Sequence, residues 1–144
     1  MKSLLAKLGI ILVGLFIFIH AEVRAEDWTF YGRSDKYLCF YDVKSINHSD
    51  ENIVEVSEKQ EYTNEGKDFM VDRLGKKYEN LSHLITLWQI NCPDKKYRFL
   101  SLTYYAKEKT VIYSWKALYL SGTTDWSPFI AGSLGERLYK AVCK

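Results

Sequence analysis

Three cysteines are present in 144 residues, and one of them, Cys143, lies one residue from the end. Chain ends fray because few contacts hold them. A cysteine at that position points to a covalent tie that draws the last segment back onto the body of the fold. Such a tie persists only in an oxidising compartment, and the N-terminus supplies the route to one. Residues 1–25 read MKSLLAKLGIILVGLFIFIHAEVRA. Lys2 and Lys7 form a positive lead, Leu8 to Ile19 are apolar or glycine, and Val23-Arg24-Ala25 offers a small-residue cleavage site. The apolar run is 12 residues, short of the ~20 that span a bilayer as a helix. This layout predicts a signal peptide over 1–25 and a single domain over 26–144. Glu26 follows the cut where a lipoprotein would carry cysteine. The expected product is exported, periplasmic or at the cell surface, without a lipid or other stable membrane anchor.

The whole chain has 20 basic and 18 acidic residues. Removing Lys2, Lys7, Arg24 and Glu22 leaves 17 of each, so the expected mature domain is neutral. Nucleic acid demands a clear positive surplus, so no nucleic-acid partner is expected.

Three cysteines allow one bridge and leave one over, and the count alone leaves all three pairings open. The local patterns favour one of them. GSLGERLYKAVC (132–143) has Ser133 as an N-cap, Glu136 three residues on, and Leu134, Leu138, Ala141 and Val142 on one face. That is a capping box leading an amphipathic helix. The helix is too short to stand alone in water. In LITLWQINC (84–92), Leu84, Thr86, Trp88, Ile90 and Cys92 alternate onto one face of a strand. A Cys92–Cys143 bridge would staple the helix to that face and close a loop of about 50 residues, worth ~4 kcal/mol by chain entropy. Cys39, in the alternating run KYLCFYDV, is then either a buried thiol or an intermolecular or reactive one.

Period-two alternation recurs along 27–32, 36–46, 52–63, 82–92, 96–106 and 110–120, with short polar connections between. The first two runs read as a hairpin turning at Gly32–Asp35. In the third, Val54, Val56 and Tyr62 share a face, with charges expected on the other. In the fifth, Leu100, Leu102 and Tyr104 share one face, with Phe99 and Tyr105 opposite. Residues 64–80 carry one or two helical turns, stopped at Gly75. Residues 46–52 read as a turn and 121–132 as a loop. The expected class is α+β: roughly six antiparallel strands with a C-terminal helix packed on one face and tethered by a disulfide.

The ordered motif set resembles the surface-adhesin protein E-like family of bacterial exported proteins. It comprises Trp28, Tyr37, Tyr41, Asp42, Ser45 and Ile46 early in the chain, then Trp88, Ile90 and Cys92, then Arg98, Leu100, Ser101 and Tyr104. Trp126, Gly132, Ser133, Glu136, Leu138, Val142 and Cys143 close it. The resemblance covers nearly all of 26–144. It implies an antiparallel sheet with a terminal helix bridged through the last two cysteines, and a non-enzymatic protein. The namesake binds host matrix proteins and can dimerise, so a protein partner and a homodimer are implied here. Fold transfers more safely than adhesion. This chain departs from the namesake in lacking a lipid-anchoring cysteine and in carrying Cys39.

Chemistry-bearing motifs are sparse. After residue 25 the histidines are His48, in a polar turn, and His83, at a strand start. Neither histidine nor cysteine shows metal-ligand spacing, and the glycines form no phosphate cradle. No catalytic, cofactor or metal site is expected. Trp88 and Tyr104 read as core. Tyr31, Tyr37, Tyr105, Tyr113 and Trp115 are the candidate exposed aromatic face, because tyrosine and tryptophan are favoured at protein interfaces. A sheet edge is a second means of contact. The expected function is a non-enzymatic, adhesin-like binding domain. The alternative is a periplasmic accessory module of an envelope complex, or an enzyme inhibitor.

Overall fold

Alternating apolar runs joined by short polar turns favour antiparallel pairing, and eight strands join in one antiparallel sheet. The computed structural model describes residues 25–117 and 126–144. The expected signal segment before Ala25, and the stretch expected to extend the last long strand past Ala117, lie outside those residues. The elements in order are β1 (Trp28–Arg33), β2 (Tyr37–Asp42), β3 (Asn47–Asp50), β4 (Ile53–Tyr62), α1 (Asn64–Leu74), β5 (Leu81–Asn91), β6 (Lys96–Ala106), β7 (Val111–Lys116), β8 (Ser127–Pro128) and α2 (Leu134–Val142). The sheet runs β1-β2-β4-β5-β6-β7, with β3 beside β4 and β8 beside β6. β2 pairs with Glu58–Tyr62 of β4 and β3 takes over from Glu55 to Ile53, so the two share one flank. The segment expected as a turn over 46–52 thus contains a strand, and the loop expected over 121–132 contains β8, because long neighbours leave unpaired backbone that short segments satisfy.

Register decides which side chains share a face. Val54, Val56 and Glu58 stand opposite Ile90, Trp88 and Thr86. Those positions form the covered face. Val54, Val56, Trp88 and Ile90 pack there with Leu138 and Val142 of α2. At the other end of the same face, Met70 of α1 packs with Tyr78 and Leu81, backed by Tyr62 and Tyr104. Both helices therefore lie on one side of the sheet.

Two sequence expectations are corrected here. Glu58 does not join the charged face: strict alternation carries it to the side of Val54 and Val56, where it is 2% exposed. Phe99 does not oppose Leu102 and Tyr104, because the β5–β6 register shifts between Leu87 and Trp88. That bulge puts Phe99 against Trp88, with ring centroids 4.6 Å apart, on the covered face.

The helices are held as their sequences require. In α1, the Thr63 hydroxyl accepts from Gly66 N–H at 3.1 Å and donates to the Asp35 carbonyl at 2.7 Å. Gly75 ends the helix at φ +99°, a conformation that glycine adopts freely. It has three turns where one or two were expected. In α2, Ser133 accepts from Glu136 N–H at 3.1 Å, and the Glu136 carboxylate reaches back to Gly132 N–H at 2.8 Å. Cys92 and Cys143 are bridged, with Cα atoms 5.6 Å apart, and Tyr139 OH donates to the Cys92 carbonyl at 3.2 Å. The pairing is the one that the strand pattern favours. Cys39 is the free, buried cysteine.

Two predictions follow from this architecture. Replacing Cys92 and Cys143 together by serine frees a separation of 51 residues and is expected to remove ~4 kcal/mol. A fall in the urea midpoint, with a slope that rises as the unfolded chain loses its cross-link, would show it. Gly66 abuts the Lys36 backbone: a Cβ there would lie 2.0 Å from that carbonyl oxygen. Gly66→Ala is expected to cost about 1–3 kcal/mol, despite alanine's better helix propensity, read as a lowered Tm.

Candidate functional site

With both helices on one side, no described helix covers the opposite face of the sheet. Alternation from the β1–β2 and β4–β5 registers places Trp28, Phe30, Phe40, Lys59, His83 and Ile85 there. Phe30 is 54% exposed and meets Phe40 edge-on at 5.7 Å. The Lys59 ammonium lies 4.9 Å from the Trp28 ring and 5.0 Å from that of Phe40, and pairs with Glu61 at 2.7 Å. Trp28 Nε1 donates to Glu26 at 2.8 Å. Tyr105 of β6 stacks on His83, with centroids 4.9 Å apart. Partial burial, then the Lys59 charge, lower the His83 pKa, which favours the neutral imidazole. Trp28, Lys59, Glu61, His83, Ile85 and Tyr105 border a shallow hollow of about 300 Å³. Towards the far end of β4, Arg98 donates to Gln89 at 2.6 Å and Gln89 to Glu55 at 2.9 Å.

A second recess lies on the covered face, floored by Glu58 and walled by Trp88, Tyr97, Phe99 and Phe129, also about 300 Å³. The Glu58 carboxyl accepts from Tyr31 OH, from Trp88 Nε1 at 2.7 Å and from Gln60 Nε2 at 3.2 Å. Burial raises its pKa, and the three neutral donors oppose that rise without reversing it. Cys39, beside it on β2, has its thiol pushed up to about 12 by burial and then by Glu58, which leaves little thiolate for reaction. His83 faces away on the open side, so Cys39 has no imidazole neighbour from that residue.

The five aromatics expected to form one exposed face are divided among three places. Tyr31 turns inward onto Glu58. Tyr37 borders the covered recess and meets Tyr62 at 5.8 Å. Tyr105 is on the open face. Tyr113 and Trp115 are exposed on β7, opposite Tyr104 and Leu102 and therefore on the helix side. Trp28, Phe30 and Phe40 were missed. The signal for them was period-two alternation, which sends Phe30 and Phe40 to the face opposite Tyr31 and Tyr41. Among the described residues no group of three or more histidine, cysteine or acidic side chains could hold a metal ion. No described helix is long and apolar enough to cross a membrane.

Glu58 sets a pH dependence. Its folded pKa is raised, so the folded chain keeps a proton that the unfolded chain releases. The associated stability is present below the unfolded value and is lost as pH rises through the folded one. As pH rises from about 4, the unfolded value, the wild type is expected to lose stability relative to Glu58→Gln, which has no proton to release. Urea midpoints of both proteins over that rise check it; parallel profiles would deny Glu58 this role.

The family model of surface-adhesin protein E matches residues 28–144. Comparison with curated proteins gives no match, and neither does comparison with solved structures.

Proposed function

The chain belongs to the surface-adhesin protein E family, and on that premise we propose that it is an exported, non-enzymatic binding domain. Its residues 26–144 form the functional unit after a signal peptide is removed, and it engages a protein partner through the open face of its sheet. The observation that carries this reading is the cluster of Trp28, Phe30 and Phe40 around the Lys59–Glu61 pair. Large aromatic side chains beside a few fixed charges are the composition of protein-binding hot spots. Six strands present backbone already paired within the sheet, so the surface is rigid and binding orders little further chain.

The test has two arms. Protease shaving of intact host cells, followed by mass spectrometry, is expected to release peptides from 26–144. Release only after lysis would remove the surface role and favour a periplasmic accessory module. In the second arm, purified protein is applied to an immobilised extracellular-matrix extract. Phe30→Asp with Trp28→Ala is expected to weaken saturable binding by roughly thirtyfold, the scale of a hot spot. Tyr113→Ser with Trp115→Ser, on the edge strand, is expected to leave it unchanged. The reverse pattern would move the contact to the β7 edge.

A further inference from the structure

The covered-face recess takes no part in the surface proposed above and lies on the opposite side of the sheet, so either reading can fail alone. Its floor is the one acidic side chain among the described residues that is almost wholly buried within the aromatic core. Its walls touch one another: Trp88 lies 4.9 Å from Tyr97, and Tyr97 4.9 Å from Phe129. Ile130, 75% exposed, stands at its mouth. We propose that this recess binds a primary ammonium or guanidinium carried on an apolar stem, with Glu58 as its counter-ion.

Alone, the buried Glu58 carboxyl is held towards its protonated form by burial; an entering cation displaces that proton to solvent and pairs with the carboxylate, because a buried charge is tolerated only when paired. The groups that Glu58 accepts from, Tyr31, Gln60 and Trp88, are all neutral. Oε1 accepts two of those bonds and Oε2 accepts one. A carboxylate oxygen can accept two, which leaves room at Oε2 for one more donor. Aromatic faces attract cations within about 6 Å of the ring, and the same rings offer an apolar seat to an alkyl stem. An anion would find no cationic side chain among the residues that line the recess. A calcium-like ion would need six or more oxygens, and the recess offers far fewer. The ligand chemistry is that of a lysine or arginine side chain on a partner protein, or of a free alkyl amine.

The test is an NMR titration of the ¹⁵N-labelled protein, read at the Trp88 indole N–H that donates to Glu58. The probes are n-butylammonium, n-butylguanidinium, n-butanol, and blocked tripeptides with lysine or arginine at the centre. Both small cations are expected to shift that resonance saturably, and n-butanol is not. Tighter binding of the tripeptides would identify a partner's side chain as the source; tighter binding of the small cations would identify a free amine. Glu58→Gln is expected to weaken the cations by at least roughly tenfold. Ile130→Lys alters an exposed position and brings a tethered cation to the mouth, so it is expected to weaken them likewise, and it serves if Glu58→Gln fails to fold. Equal response to n-butanol, no saturable shift, or unchanged affinity in Ile130→Lys would overturn the proposal.

Discussion

Which side of this sheet meets solvent is decided by the bond between Cys92 and Cys143. Cys92 directly follows β5, in phase with Trp88 and Ile90. A helix anchored at that point must lie over their side chains. Leu138 and Val142 then complete a core that the strands alone would leave half exposed. A nine-residue helix has little stability of its own, so the bond and the core are mutually dependent. The bond limits the freedom of the unfolded chain, and the core gives the helix a reason to stay. Gly32 fits the same arrangement: a Cβ there would meet the Leu134 side chain at 2.6 Å and push its terminal methyl aside.

The second helix arises from a different constraint and reaches the same side. α1 is inserted between β4 and β5, which pair directly with one another. A connection of that length must fold back over one face. Thr63 and the Lys36 carbonyl fix its start against β2, and Met70 reaches Tyr78 and Leu81. Two helices on one side divide the described residues into a structural face and a face that no described helix covers. Between the helices the structural face is incompletely filled, and there Glu58 sits among rings. An apolar side chain at that position would leave the Tyr31, Gln60 and Trp88 donors without their acceptor.

Much of this was legible in the sequence because its strongest signals are local. The capping box at Ser133 and Glu136, the stop at Gly75 and the alternation through Leu84–Cys92 each follow from rules that act over a few residues. The disulfide followed from joining two of them. What escaped was set by pairing between strands. The bulge between Leu87 and Trp88 moves Phe99 across the sheet, and nothing in KYRFLSLTYY marks it. Likewise the register shift between Phe30 and Gly32 lies at Tyr31, which turns to Glu58. Counting tyrosines as surface residues therefore picked Tyr31 and Tyr37, which the inner face uses, and passed over Phe30 and Trp28. Glu58 is the instructive case, because period two alone assigned it to the apolar face. Its charge made the opposite reading seem natural, and charge is a weaker guide than phase when three neutral donors stand ready to receive a carboxyl.

That same phase argument separates packing from recognition. On the covered face the aromatic rings touch one another and α2: Phe129 meets Tyr139 at 5.3 Å and Tyr97 at 4.9 Å. Most of their area is taken up by the fold, and only the part lining the recess remains open. On the open face the rings of Trp28 and Phe40 meet a lysine rather than a helix. A cation lying on two ring faces is a contact that another group can displace, at a cost of about 0.5–2 kcal/mol. The open face thus keeps its aromatic area apart from the core and only lightly engaged. A surface that must stay soluble until it meets its partner requires that condition.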